Sequence, residues 1–194
     1  LLIIDFAKSQ FGQEEIDAVV KALNEFQLSP GKYTYQFEKE VAKLFGKEHG
    51  VMVNSGSSAL LLAAELLDIK PGDEVITTAS GFPTTINPFL LKGAKVILVD
   101  VDPETLGVDI SALHNAVTEK TKAIIIAHIW GATQNLPEIK SLCEEHNIKL
   151  IEDSCDSIGV TINGKPSGYY SDISVTSFFP SHVITAAGGG GMIL

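Results

Sequence analysis

There is no arginine in this 194-residue chain; all fourteen basic residues are lysines. A planar guanidinium fork that grips a phosphate or carboxylate through two parallel hydrogen bonds must therefore come from another subunit or from sequence beyond these residues. Positive charge is scarce altogether. Twenty-four acidic residues leave a net charge of -10, which argues against a nucleic-acid partner, because phosphate backbones are held by clustered cations. Cysteine is scarce too. Cys143 and Cys155 are the only two, without zinc-ligand spacing and too few for a disulfide framework. Long apolar runs are missing. The opening run, residues 1–4, is cut short by Asp5, too early for a signal-peptide core or a bilayer span. Residues 124–130 read as a buried strand. The expectation is a protein of the reducing cytoplasm with no membrane partner. The chain begins on Leu1 rather than Met and stops on the apolar Met192-Ile193-Leu194, and so reads as a truncated piece of a longer protein.

What is present is an ordinary globular composition, 45% hydrophobic and 20% charged, long enough for one domain with a real core. Residues 13–26 have the period of an amphipathic helix, with Ile16, Val19, Val20 and Leu23 on one face. A second helix covers 34–45 and stops at Gly46. From there strands and helices alternate: strands at 51–53, 74–78, 95–100, 122–127, 149–152 and 174–178, with a last one starting at Gly191. Helices lie at 57–67, 110–117 and 137–146, and at 82–91, where Pro83 and Pro88 interrupt. Alternation with continuously apolar strands predicts an α/β fold of three αβα layers around a mostly parallel sheet. Ligands of such sheets bind beyond the carboxyl ends of the strands.

Four segments fall at those ends. Asn54-Ser55-Gly56-Ser57-Ser58-Ala59 joins a strand to a helix, where free N–H groups bind phosphate and glycine permits close approach; it also reads as a plain serine cap. Ala79-Ser80-Gly81-Phe82-Pro83-Thr84-Thr85 offers Phe82, either a platform for a planar ligand or a core residue. Glu152-Asp153 ends a strand, so an acid there faces the crevice; a buried aspartate can keep a heterocyclic nitrogen protonated, and the alternative is a turn aspartate. Ser177-Phe178-Phe179-Pro180-Ser181-His182 brings a hydroxyl and an imidazole of ordinary pKa about 6.5, a base or a structural histidine. The glycines Gly188 to Gly191 allow a close backbone approach, or a simple turn.

In order and spacing these segments, with Gly31, Pro71-Gly72-Asp73-Glu74-Val75-Ile76 and Ile151-Glu152-Asp153, resemble the large domain of the sugar aminotransferase/dehydrase family (the DegT/DnrJ/EryC1/StrS group) from about Phe26 to Leu194. The resemblance implies the aspartate-aminotransferase-like, type I vitamin-B6 fold, with residues 1–194 as the cofactor-binding large domain and a small C-terminal domain outside the chain. It implies pyridoxal or pyridoxamine 5'-phosphate as cofactor, a nucleotide-sugar substrate, and a homodimer. It assigns the cofactor phosphate to Gly56, Ser57 and Ser177, the pyridine face to Phe82 and the ring nitrogen to Asp153. Asp156 falls where family members often place glutamine or histidine near the ring hydroxyl.

One departure bears on the reaction. Aminotransferases of the family carry their Schiff-base lysine where this chain has His182, and no lysine follows Lys165. Histidine cannot form that bond. The resemblance then points to the NDP-4-keto-6-deoxyhexose 3-dehydrases, in which the cofactor is held non-covalently, histidine takes a proton from its C4' carbon and the sugar's C3 hydroxyl leaves. The alternatives are an aminotransferase that works despite His182 and a non-catalytic B6-binding protein. Some of these dehydrases use a [2Fe–2S] cluster fed by a reductase; others regenerate the cofactor with glutamate. Cys155 resembles the first cluster cysteine. A cluster needs about four thiolates, so further cysteines would have to lie beyond residue 194. The stretch Thr185 to Gly191 differs from the cluster-bearing pattern and points to the cluster-free route.

Overall fold

The computed structural model describes residues 9–132 and 134–194; the opening apolar run at 1–4 lies outside them. Nine strands and six α-helices are found among the described residues. The strands β1 (Val51–Val53), β2 (Glu74–Thr78), β3 (Lys95–Val99), β4 (Thr121–Ala127), β5 (Lys149–Asp153), β8 (Ile173–Ser177) and β9 (Gly191–Ile193) form one sheet in the order β1-β9-β8-β5-β4-β2-β3. The run from β8 to β3 is parallel, and β9 lies antiparallel to both β8 and β1. The mostly parallel sheet expected from the apolar strands is therefore the one observed.

Strand alternation explains the three layers. Val75, Ala123, Ile125, Ile151 and Val175 point to one face, against α3 (Gly56–Leu66) and α4 (Asn87–Leu91). Ile76, Ile124, Ile126 and Leu150 point to the other, against α5 (Ile110–Ala116) and α6 (Leu136–His146). Each face is an apolar cluster, so the central strand β4 is apolar at successive positions, Ala123 to Ala127, rather than at every second one. Ala59, Ala63 and Ala64 give α3 a narrow face that lies directly on the strands.

Several local expectations change. The helix expected over 82–91 is two pieces, a 3-10 turn at Pro83–Thr85 and α4, because each proline lacks the N–H a continuous helix needs and is tolerated only in a first turn. β5 runs one residue further, to Asp153, and β8 ends at Ser177, so Phe178 lies past it. α1 (Gln13–Asn24) and α2 (Lys32–Phe45) form, with Gly46 closing α2 at φ 67°. The apolar stripe of α1 exists but has no residue buried; Ile16, Val19, Val20 and Leu23 face solvent. A hairpin of β6 (Thr161–Ile162) and β7 (Lys165–Pro166) was not anticipated. Its signal was there: Asn163-Gly164, both at positive φ, is the dipeptide that two-residue hairpin turns require. No helix of the described residues is long and apolar enough to cross a membrane.

Candidate active site

The carboxyl ends of β2, β4, β5 and β8 and the N-terminus of α3 surround a cavity of about 990 Å³. Its floor on the β1 side is the start of α3. Ser55 caps the helix, accepting from Ser58 N–H at 3.1 Å. The Gly56 and Ser57 amides belong to the first turn, which has no intrahelical acceptor for them. Gly56 could not carry a side chain: a Cβ there would stand 2.9 Å from Ser177 Cβ and 3.0 Å from Cys155 Sγ. Gly191 passes so close to the Ser55–Gly56 peptide that its own Cβ would overlap those backbone atoms. Ser177, at the end of β8, accepts from Phe179 N–H at 3.3 Å and lines the same corner.

Asp153 ends β5 and is 6% exposed. Its Oδ2 accepts from Thr85 Oγ1 at 2.7 Å and its Oδ1 from Cys155 N–H at 3.3 Å. Both oxygens are thus oriented from two different elements. Phe82, 69% exposed, extends into the cavity from the turn after β2. His182 follows β8 on a turn closed by its own N–H to Phe179 O at 2.9 Å. Its Nε2 lies 3.6 Å from Asp156 Oδ1, while its Nδ1 is buried without a partner. The cavity therefore gathers the residues to which the family resemblance gives a role in binding or catalysis: Gly56, Ser57, Phe82, Asp153, Asp156, Ser177 and His182. Among the described residues no lysine lines it.

Residues 9–194 match the model of the DegT/DnrJ/EryC1/StrS aminotransferase family. The chain belongs to this family. Relatives of the chain include the lipopolysaccharide biosynthesis protein RfbH of Salmonella typhimurium, 43% identical over 92% of this chain and 43% of that protein. The UDP-N-acetyl-3-dehydro-alpha-D-glucosamine 3-aminotransferase of Acidithiobacillus ferrooxidans is 40% identical over 93% of this chain and 49% of its own length. Among solved structures, E. coli GDP-4-keto-6-deoxy-D-mannose-3-dehydratase with bound hydrated PLP superposes with a TM-score of 0.93 at 36% identity, covering 100% of this chain and 51% of that one. The chain thus spans about half the length of these relatives. The fold is the type I, aspartate-aminotransferase-like one, and family members of known structure carry pyridoxal or pyridoxamine phosphate.

The residues of this DegT/DnrJ/EryC1/StrS member fit such a cofactor. Free amides at a helix N-terminus, a corner that a single Cβ would fill, a buried carboxylate and an exposed aromatic are what a phosphate on a pyridine ring needs. Replacing Gly191 by alanine tests the cradle. The clash falls on backbone, which cannot give, so pyridoxamine phosphate affinity should fall about tenfold or more, roughly 1.4 kcal/mol, by calorimetric titration. An unchanged affinity would separate Gly191 from the cradle.

An iron–sulfur cluster takes about four thiolates, more than the two free cysteines of the chain, Cys143 and Cys155. Cys155 Sγ is packed beneath Gly56, and burial, followed by the charges of Asp153 and Asp156, pushes its thiol far up. Cys143 is on the buried face of α6, its thiol pushed up to about 12 by burial. Among the described residues no three His, Cys, Asp or Glu side chains are grouped to hold a metal ion.

Two features escaped the sequence reading. Glu152 was paired with Asp153 as facing the crevice, but the pleat turns it to the opposite face. There it is fully buried, with Oε1 2.9 Å from His128 Nε2 and Oε2 accepting from Ser174 Oγ at 2.7 Å. Thr85, the orienting donor of Asp153, sat inside a recognised motif without a role. His128 follows directly on β4, the position at which ligand-crevice residues are sought, so the signal existed.

Proposed function

We propose that residues 1–194 are the cofactor-binding large domain of a vitamin-B6-dependent 3-dehydrase that removes the C3 hydroxyl of a nucleotide-linked 4-keto-6-deoxyhexose, with a small C-terminal domain outside these residues. The observation that carries this is His182 on the cavity wall, where no lysine reaches among the described residues. When bound, pyridoxamine phosphate supplies an amine that condenses with the sugar carbonyl and a pyridinium ring that draws off electrons.

The chain's own residues supply the rest. Gly56 and Ser57 N–H and the Ser177 hydroxyl hold the phosphate. Asp153, oriented by Thr85 and Cys155 N–H, keeps the ring nitrogen protonated. Phe82 covers the ring face and excludes water. Nε2 of His182 takes the proton, because Nδ1 is shut away from solvent. The carboxylate of Asp156 at 3.6 Å sets a negative charge beside the nitrogen that becomes positive. The same nitrogen returns a proton to the departing hydroxyl. A chain without arginine takes its guanidinium clamp on the substrate diphosphate from a partner subunit, as a homodimer, or from sequence outside these residues.

Borohydride treatment of the cofactor-loaded protein tests this. The expected result is no covalent adduct by intact mass and a 3-deoxy product by NMR; a chain heavier by one cofactor sinks it. Amine transfer is the second reading, favoured by the 40% identity to a named 3-aminotransferase, and its signature is an amino sugar with nitrogen on the former carbonyl carbon and every hydroxyl of the substrate retained.

A further inference from the structure

Trp130 is the only tryptophan of the chain, and the scheme above does not use it. It is 78% exposed on the cavity wall. Its backbone nevertheless stands at φ 54°, and Gly131 after it at φ 75°. A bulky side chain persists in the left-handed region only where its surroundings impose it. Here Gly131 N–H donates to His128 O at 3.2 Å and Ala132 N–H to Ile129 O at 3.0 Å, closing a tight turn. The root of the turn is fastened by His128, whose N–H donates to Asp153 O at 3.0 Å and whose ring meets Glu152. A pinned, strained turn thus presents a large aromatic face to the ligand space instead of the core.

The neighbours of this turn say which part of a ligand it meets. A Cβ on Gly131 would come 3.8 Å from Asp156 O, and Asp156 is the carboxylate beside His182. The portion of a nucleotide sugar that must reach His182 is the reacting hexose. Of the two other exposed aromatics on the cavity wall, Phe82 is taken by the cofactor ring, and Phe179 follows β8 with its ring against the edge of His182. We propose that Trp130 is the platform for the C–H face of the reacting hexose and so a specificity-determining residue; this rests on the cavity being a nucleotide-sugar site. Aromatic walls with a few placed polar groups are the usual build of such pockets.

The lone tryptophan reports on itself. Pyridoxamine-phosphate-loaded protein is titrated with GDP-4-keto-6-deoxymannose and its dTDP and CDP counterparts, and in parallel with GDP, dTDP and CDP alone. Trp130 emission should change with a nucleotide hexose and not with any nucleoside diphosphate. Trp130→Ala should raise KM for the keto sugar about tenfold, roughly 1.4 kcal/mol, with pyridoxamine phosphate affinity unchanged, and Trp130→Phe should recover most of it. An equal emission response to a nucleoside diphosphate alone places the base on Trp130 and overturns the proposal, as does an unchanged KM in folded Trp130→Ala. Should that variant not fold, Trp130→Leu against Trp130→Phe decides: equal KM values overturn the platform. Failure of the dehydrase reading shows separately, as an emission response to the nucleotide hexose while its C3 hydroxyl stays in place.

Discussion

Replacing His182 by asparagine lowers the rate of C3–OH loss by about 10²–10⁴-fold, the range that a positioned acid–base group contributes. Asparagine keeps the polarity and approximate size of the imidazole but cannot carry a proton at the position of Nε2. Nothing proposed to hold the cofactor is touched: Gly56, Ser57 and Ser177, the proposed phosphate corner, lie on α3 and β8, and Asp153 is oriented by Thr85 and the Cys155 amide. Pyridoxamine phosphate affinity therefore stays within about twofold, and the effect falls on kcat rather than on KM, as expected when a transition-state interaction is lost. Product NMR in single-turnover reactions measures it. A variant that loses cofactor as well as rate would make His182 a binding residue; an undiminished rate would remove it from the chemistry.

Glu152→Ala destabilises the fold by about 3–5 kcal/mol, the usual result of removing one member of a buried hydrogen-bonded pair. The remaining His128 Nε2 and Ser174 Oγ lose their acceptor in a place water does not reach. For a domain of this size that is a fall in melting temperature of roughly 6–20 °C. Burial by itself raises the Glu152 carboxyl, yet the His128 hydrogen bond and charge, with the hydroxyls of Ser167 and Ser174, outweigh it and leave the group lowered. A lowered carboxyl contributes stability that is fully present above the ordinary value of about 4.3 and disappears as pH falls through the lower folded value. The gap between wild type and Glu152→Ala should accordingly narrow in acid, read by denaturant melts from neutral pH downward. A double change of His128 and Glu152 to leucine should recover part of the loss, because the imidazole and the carboxylate go together, while Ser174 Oγ keeps Ser171 Oγ as its partner at 2.9 Å. If the single variant melts like the wild type, the pair is not what secures the ends of β4 and β5.

Much of this was legible one residue at a time. Continuous apolar strands between amphipathic segments fix the layer order, since a strand covered on both faces needs apolar side chains at every position. Gly56-Ser57, Phe82, Asp153 and Ser177-His182 each stand just past a strand end, and a parallel sheet carries all such ends to one side. The interruption expected at Pro83 and Pro88 divides 82–91 into a 3-10 turn and α4, because each proline is tolerated only in a first turn. The stripe on α1 shows the limit of the period: it gives the helix but not what it packs against, and no α1 residue is buried among the described residues.

By itself, the sequence determined the kind of fold, the side of the sheet on which to look and the histidine where a lysine was expected, because these depend on period, order and residue type. Only the tertiary structure separated Glu152 from Asp153, neighbours in the chain that the pleat sends to opposite faces. One is oriented toward the ligand by Thr85, 68 residues away; the other is locked to His128, 24 residues away. It likewise put Asp156 beside His182 and held Trp130 at a left-handed φ over the cavity. Distances between side chains on different strands follow from register and close packing, and no single segment encodes those.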